Sequence, residues 1–157
     1  MKKYLIVFLV SMVPLIELRG AIPYAVGFHL PIVPSCIVAV LGNMVPVPFI
    51  FLFARRILEW GADKRWIGPF CSWCLDKGQK AVHKMEEKAG TGLYVALLLF
   101  VGIPLPGTGA WTGTLAASLL GMDFKKSLLY IMLGVLLAGA IMLAGSLGVF
   151  GAFSLVR

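Results

Sequence analysis

The sequence predicts an all-α integral membrane protein with two inverted repeats, each a re-entrant helical hairpin followed by a transmembrane helix. Of the 157 residues, 60% are hydrophobic and 13% are charged, and the mean hydropathy is +0.95. A soluble domain is usually about 45–50% apolar and about 25% charged. Two long apolar blocks that contain helix-breaking residues predict the hairpins, and matched positions in the two halves predict the repeats.

The positive charge lies at the ends of the apolar blocks. The net charge is +7, eight Lys and Arg lie in residues 55–88, and Lys125 and Lys126 form a second cluster. The positive-inside rule explains this distribution in a membrane chain, so we expect membrane lipids and no nucleic acid as partners. The first residues, Met-Lys-Lys before an apolar run, resemble a signal peptide. No small-residue cleavage site precedes Glu17, so we expect this segment to be retained.

The first two apolar blocks differ in continuity. The first, residues 4–28, is interrupted by prolines and charges, and we predict its break at residues 17–23. The second, residues 32–54, has no formal charge. Because a span needs about 20 apolar residues, this block is predicted to cross the bilayer as one helix.

The third block, residues 91–122, is too long for one simple spanning helix. At about 1.5 Å per residue it would extend roughly 48 Å, against a hydrocarbon core of about 30 Å. It contains the run PLPGTGAWTG at residues 104–113, whose prolines and glycines break helices. We predict two half-helices joined by an irregular turn. The fourth block, residues 127–156, is predicted to span, with Asp123 capping its helix.

The two halves resemble each other at fixed offsets. An offset of 90 gives the identities Tyr4/Tyr94, Leu9/Leu99, Pro14/Pro104, Leu15/Leu105 and Leu30/Leu120, and an offset of 92 matches Leu41-Gly42 with Leu133-Gly134. We assign repeat 1 to residues 4–58 and repeat 2 to residues 91–156 of a single membrane domain. The linker, residues 59–90, has apolar residues at helical spacing (Val82, Met85 and Ala89), which predicts an amphipathic interfacial helix; a solvated linker is the alternative.

The charge count leaves two topologies open. If each broken block returns to the face it started from, ten basic residues share one face, opposite Lys2, Lys3 and Arg157. If all four blocks span, Lys125 and Lys126 lie on the face opposite the other basic residues outside the membrane. The helix-breaking residues favour the hairpins.

Two charges lie inside the first block. Each of Glu17 and Arg19 costs about 2.5–3.5 kcal/mol at the bilayer centre, whereas a leucine returns about 0.3–0.6 kcal/mol. Irregular backbone at membrane depth is tolerated against protein or a water-filled cavity. Residues two apart point to different faces of a helix, so a pair between them implies non-helical backbone. We predict that this stretch lines a polar cavity; interfacial snorkelling is the alternative.

The second break offers polar groups without formal charge. Its threonine hydroxyls, its indole N–H and its freed backbone groups suit a site at the ends of half-helices, although tight helix packing would explain the same small residues. Asn43 lies mid-span before two prolines and is either part of the site or interhelical glue. The predicted substrate and proton pathway comprises Glu17, Arg19, Gly20, Pro23, Asn43, Pro104, Pro106, Gly107, Thr108, Gly109, Trp111 and Thr112.

Enzyme and metal chemistry find little support in the sequence. Cys71 and Cys74 have the spacing of a redox or zinc pair, and His83 could add a third ligand. A structural zinc site needs four ligands. No Cys/His, Ser/His or metal constellation is evident, so we expect a protein that is not an enzyme and that needs no metal or cofactor.

The motifs ELRGAIP at 17–23, GN at 42–43 and PLPGTGAWTG at 104–113 resemble those of the putative small multidrug export protein family. This family is regarded as a distant relative of the DedA superfamily, also called VTT proteins. That resemblance implies facing re-entrant hairpins in inverted repeats, and either proton-dependent transport or translocation of a lipid such as a polyprenyl phosphate. It also places Glu17 where the superfamily has an acidic residue. The superfamily's second hairpin carries arginines, which residues 104–113 lack, and this departure weakens the lipid interpretation.

Three functions follow as hypotheses. The first is a small proton-coupled transporter of the bacterial cytoplasmic membrane, a homodimer with its substrate site between the hairpins and Glu17 as proton carrier. The second is a translocase or scramblase that moves an anionic lipid past Arg19. The third is a membrane scaffold without transport, in which the basic linker is the working part.

Overall fold

The fold was analysed in a computed structural model that describes residues 2–14, 16–63, 68, 69, 72, 76, 92–105 and 107–155. Regular structure in these residues is helical throughout, which confirms the all-α prediction. Two stretches are long and apolar enough to cross a membrane, Ile32–Ala62 with mean hydropathy 2.3 and Phe124–Val149 with mean hydropathy 2.4. The predicted interfacial helix at residues 76–89 and the Cys71/Cys74 pair lie outside the described residues, except for residue 76.

The first apolar block forms two helices, α1 (Lys2–Met12) and α2 (Glu17–Gly27). The break therefore lies between Met12 and Glu17, and the prediction of a break at residues 17–23 was wrong. Pro14 explains the position, because a proline disfavours helical backbone in the residue before it. Gly20 and Pro23 lie inside α2.

The second block is a bent pair of helices, α3 (Ile32–Met44) and α4 (Pro46–Ala62). The prediction that this block can cross a membrane is supported, but the helix is interrupted at Val45 and continues beyond residue 54 to Ala62. Pro46 lacks the N–H that a continuous helix would need, and its ring crowds the carbonyl four residues earlier, so the chain bends at Val45. Helix α4 continues past residue 54 into the part of the chain that we assigned to the linker.

The third block forms α5 (Gly92–Gly102) and α6 (Ala110–Leu119), and the fourth forms α7 (Phe124–Leu155). The predicted irregular turn is present but shorter than expected, because Trp111, Thr112 and Gly113 already belong to α6. The backbone N–H of Lys126 donates to Asp123 Oδ1 at 2.9 Å, which confirms the predicted cap of the last helix.

Both broken blocks fold back on themselves. The Lys3 ammonium at the start of α1 lies 5.2 Å from the centroid of the Phe28 ring, which directly follows α2. In the second half, the Asp123 N–H after α6 donates to the hydroxyl of Tyr94 near the start of α5 at 3.4 Å. Helices α1 and α2 therefore form a first hairpin, and α5 and α6 a second hairpin, each with its two open ends together at a base.

The long helices connect the two hairpin bases in opposite directions. Helices α3 and α4 start at the base of the first hairpin, and the Phe51 carbonyl of α4 accepts a hydrogen bond from Ser118 Oγ, near the base of the second, at 2.8 Å. Helix α7 starts at the base of the second hairpin. Along it, Gly139 approaches Leu18 and Ile22 of α2, and Leu143 lines a small cleft together with residues at the first base.

A glycine marks where each hairpin contacts the long helix of its own half. A Cβ on Gly42 would lie 2.5 Å from the Phe8 carbonyl oxygen and 2.1 Å from Ser11 Oγ. A Cβ on Gly134 would lie 2.7 Å from the Leu98 carbonyl oxygen and 2.8 Å from the Cβ of Val101. The contacted residues of the two hairpins are 90 positions apart in the sequence, residue 8 against residue 98 and residue 11 against residue 101. The two glycines are 92 positions apart. These are the same two offsets at which the halves of the sequence resemble each other.

Candidate functional site

The bends of the two hairpins meet, and Glu17 carries the most buried contact between them. The Glu17 residue is 5% exposed. Oε2 accepts the Ala110 backbone N–H at 3.1 Å, and Oε1 accepts the Trp111 N–H at 3.0 Å. These are the first N–H groups of α6, which have no partner inside their own helix. A carboxylate there gains both charge-assisted hydrogen bonds and the field of the helix dipole.

Arg19 contacts the irregular segment between α5 and α6. Its guanidinium donates to the carbonyl of Leu105, to the carbonyl of Thr108 at 2.7 Å and to Thr108 Oγ1 at 2.6 Å. The Thr108 hydroxyl also lies 2.9 Å from the carbonyl oxygens of Ile103 and Leu105, either of which can accept its proton. The planar guanidinium has several N–H donors in fixed directions, so it can bind two carbonyls and a hydroxyl at once. A lysine has a single compact ammonium group and could not match this arrangement.

Glu17 and Arg19 thus contact the second half of the chain rather than each other. Because the two side chains do not pair, the expectation about the backbone of such a pair stays a prediction; both residues lie in α2, and Glu17 at its start has a positive φ of 47°. Their spacing by two has a different use. It lets the side chains diverge, so that one reaches the start of α6 and the other reaches the segment before it.

The second hairpin contacts the first in return. The indole N–H of Trp111 donates to the carbonyl of Met12, the last residue of α1, at 3.2 Å. Each bend therefore supplies a side chain for backbone groups that the other bend leaves free, as buried polar backbone requires. We call this set of contacts the bend junction: Glu17, Arg19, Thr108, Trp111 and the backbone groups that they bind.

Two glycines have the left-handed backbone that the bend junction needs. Gly109, at the N-cap of α6, has φ 140°, and a Cβ there would lie 2.4 Å from Glu17 Oε2. Gly107 has φ 83° but has open space around it. Gly109 is needed for conformation and for space, whereas Gly107 is needed for conformation alone.

The remaining predicted residues are distributed around this centre. Thr112 donates its hydroxyl to the Gly109 carbonyl at 3.4 Å, within the first turn of α6. Gly20 packs on Ile16, where a Cβ would meet the Ile16 side chain at 2.3 Å. Pro23 lies inside α2, Pro104 lies in the irregular segment after α5, and Pro106 lies outside the described residues.

Asn43 is 1% exposed near the end of α3, and among the described residues its Oδ1 has no hydrogen-bond partner. It shares one buried face of α3 and α4 with Ala39, Val47 and Phe51, at spacings of four residues. A buried amide oxygen without a partner is costly in an apolar setting. None of the hydrogen bonds of the bend junction involves Asn43, so its role in the site and its role as interhelical glue both stay predictions.

Sequence reasoning missed the backbone half of the site. The groups that bind Glu17, Arg19 and Trp111 are two N–H groups of α6 and the carbonyls of Met12, Leu105 and Thr108. Backbone groups have no signature of their own in a sequence. The available signal was the helix break itself, since each break frees donors and acceptors that need partners.

The bend junction consists of polar side chains and free backbone groups of the two bends. In the described residues no group of three or more His, Cys, Asp or Glu side chains could hold a metal ion. The junction instead offers a carboxylate, a guanidinium, hydroxyls and helix-end groups close together between apolar helices. In membrane transporters, polar groups at the ends of broken helices are typical of ion and substrate sites.

A comparison with models of protein families matches this chain. The family model described as putative small multi-drug export protein matches residues 17–141. The match covers well over half of the chain, starts at Glu17 and includes both bend motifs. No curated protein and no solved structure matches the chain.

Proposed function

Because this chain belongs to the putative small multi-drug export protein family, we propose that it is a small proton-coupled transporter of the bacterial cytoplasmic membrane. Its substrate pathway passes between two re-entrant hairpins at the bend junction. The observation that carries the proposal is the buried Glu17 carboxylate bound to the N–H groups of Ala110 and Trp111. A buried charge that joins two broken helices inside an apolar bundle is typical of ion and substrate pathways.

The hairpin contacts support the re-entrant and inverted-repeat part of the proposal. Helices of 11 residues such as α1 and α5 extend about 16 Å, roughly half the thickness of a hydrocarbon core. The corresponding contacts of Gly42 and Gly134, and the opposite directions of the long helices, are what two copies in inverted orientation would produce. In this arrangement the bend junction lies near the bilayer midplane.

Proton binding at Glu17 would change the bend junction directly. The N-terminus of α6 stabilises the carboxylate through its negative charge, and a protonated carboxyl group loses most of that attraction. The second hairpin would then be released from α2, and the N–H groups of α6 would become available to another acceptor. In this proposal, proton binding at Glu17 is coupled to separation of the two bends. The hydrogen bonds between Arg19 and Thr108 also join the bends, so they must break as well before the pathway opens.

Flux through reconstituted protein tests the proposal. Proteoliposomes with an imposed pH gradient are assayed with a pH-sensitive dye inside and with cationic and anionic fluorescent dyes as solutes. We expect proton-driven dye flux for the native protein and flux at the level of empty liposomes for Glu17→Gln. Glu59→Gln, a change at an exposed glutamate of α4, serves as the matched control and should retain flux.

Other outcomes would favour the other hypotheses. Flip of a fluorescent anionic lipid that survives Glu17→Gln but fails in Arg19→Ala would favour a lipid translocase. Retention of cellular function in both variants, with loss when residues 59–90 are replaced, would favour a scaffold. A homodimer is part of the proposal, since one chain of 17.0 kDa is small for a complete pathway, and cross-linking in the membrane would detect it.

A further inference from the structure

We propose that the base of the second hairpin lies in the cytoplasmic leaflet and that its basic surface binds anionic lipid headgroups, while the base of the first hairpin lies at the opposite face. This surface, called here the basic end, contains the side chains of Arg56, Lys125 and Lys126. The proposal does not depend on transport, and it decides between the two topologies that the charge count leaves open.

One contact between α4 and α7, together with the spacing along each helix, places these basic residues at the same end. The rings of Phe51 and Phe124 lie 5.2 Å apart, so α4 and the start of α7 are level at this point. Arg56 is five residues further along α4, about 7 Å beyond Phe51. Lys125 and Lys126 directly follow Phe124, and all three basic side chains are exposed.

The return of the second hairpin excludes the arrangement with four full spans. The N–H of Asp123 donates to Tyr94 Oη at 3.4 Å, and the Lys126 ammonium lies 5.7 Å from the centroid of the Tyr94 ring. The start of α5 and the start of α7 are therefore at the same end of the molecule. The start of α1 lies at the other end, where Lys3 contacts Phe28.

The charge distribution then has one interpretation. The end of α4 and the start of α5 both lie at the basic end, and the chain between them carries further lysines and arginines. Of the described residues, Arg56, Lys125 and Lys126 lie at this end, and Lys2 and Lys3 lie at the other end. The positive-inside rule assigns the first group to the cytoplasmic face.

The partner at that face is an anionic lipid surface. The cytoplasmic leaflet has a negative surface potential, which attracts clustered Lys and Arg next to a membrane. Tyr94 and the exposed Trp60 lie at this end as well, and such aromatic rings are enriched at the headgroup level. Headgroup phosphates are the ligands that match basic side chains beside an apolar, lipid-facing surface.

Cysteine accessibility tests the orientation. In a variant whose Cys36, Cys71 and Cys74 are replaced by alanine, Lys3→Cys and Lys126→Cys are introduced one at a time and expressed in intact bacterial cells. A membrane-impermeant maleimide should label the Lys3→Cys protein directly and the Lys126→Cys protein only after permeabilisation. The reverse pattern, or labelling of both sites from the same side, would overturn the orientation.

Native mass spectrometry of the full-length protein tests the lipid partner. With phosphatidylglycerol and phosphatidylcholine offered in equal amounts, we expect preferential retention of phosphatidylglycerol. The triple change Arg56→Gln, Lys125→Gln and Lys126→Gln should reduce that retention at least about threefold, and the control Lys2→Gln with Lys3→Gln should not. For the native protein, retention should also weaken as salt is raised, because salt screens exposed charges. Equal retention of the two lipids, or retention that is insensitive to salt, would overturn the lipid partner.

Discussion

At the scale of single residues, Glu17 combines an unfavourable backbone with favourable contacts. Its φ of 47° is in the left-handed region, which costs a residue with a side chain about 1–2 kcal/mol. A hydrogen bond to a charged group contributes about 1.5–3 kcal/mol, and Glu17 accepts two. The contacts with α6 therefore outweigh the strain.

Alanine substitutions at Gly109 and Gly107 separate two causes of destabilisation. Both glycines have left-handed backbone, but only Gly109 lies close to the Glu17 carboxylate. We expect Gly107→Ala to destabilise the protein by about 1–2 kcal/mol, the cost of a side chain in left-handed backbone. Gly109→Ala should cost distinctly more, because its Cβ would also lie 2.4 Å from the Glu17 carboxylate. Thermal unfolding in detergent, followed by the loss of the monodisperse species, measures both variants.

Equal destabilisation by Gly107→Ala and Gly109→Ala would contradict this prediction. It would mean that the Glu17 carboxylate moves away from residue 109 without any cost in the free energy of unfolding. The close contact between α2 and the start of α6 would then contribute nothing to stability.

At the scale of helices, prolines decide where the breaks fall. Pro14 lies in the break of the first block and Pro46 follows the bend at Val45, whereas Pro23 lies within α2. The sequence therefore indicates that breaks exist, but the choice among several prolines depends on which freed backbone groups find partners. Glu17 and Arg19 lie in the stretch where the sequence predicts the first break, but their side chains bind the free backbone groups of the second break.

The glycine contacts between each hairpin and its own long helix predict matched effects in the two halves. Gly42→Ala and Gly134→Ala should each destabilise the protein by about 1–3 kcal/mol, because the added methyl group would overlap a backbone carbonyl of α1 or α5. Gly145→Ala is the matched control, since its Cβ would meet nothing within 4 Å. The same unfolding measurement reports all three variants.

Unequal results would be informative as well. If Gly134→Ala were as mild as Gly145→Ala while Gly42→Ala was severe, the two contacts would not be equivalent. The support that they lend to an inverted repeat would then be lost.

At the scale of the whole molecule, the two halves are interleaved. Helix α2 packs on α7 and α6 packs on α4, so the second helix of each hairpin lies against the long helix of the other half. The bend junction adds hydrogen bonds between positions more than 85 residues apart in the chain. A disturbance in one half should therefore be detectable in the other.

Hydrogen exchange can detect this coupling. Glu17→Ala should accelerate exchange of the Ala110 and Trp111 amides by on the order of tenfold or more, since each loses a hydrogen bond to a charged group. Lys3→Ala, at the base of the first hairpin, should leave these amides unchanged. Mass spectrometry of peptides that cover residues 107–119 makes the measurement, and unchanged exchange in Glu17→Ala would contradict the assigned contact.

The sequence by itself determined the class of protein, the presence of broken helices in both halves and most of the residues that meet at the bend junction. The apolar composition and the positions of the charges indicate which segments lie in the membrane. The runs of proline and glycine indicate which segments cannot remain helical. Only the tertiary structure decided that Glu17 and Arg19 bind the second bend instead of each other, and that Trp111 binds the first. Those partners are backbone groups distant in the chain, and the packing of one hairpin against the other selects them.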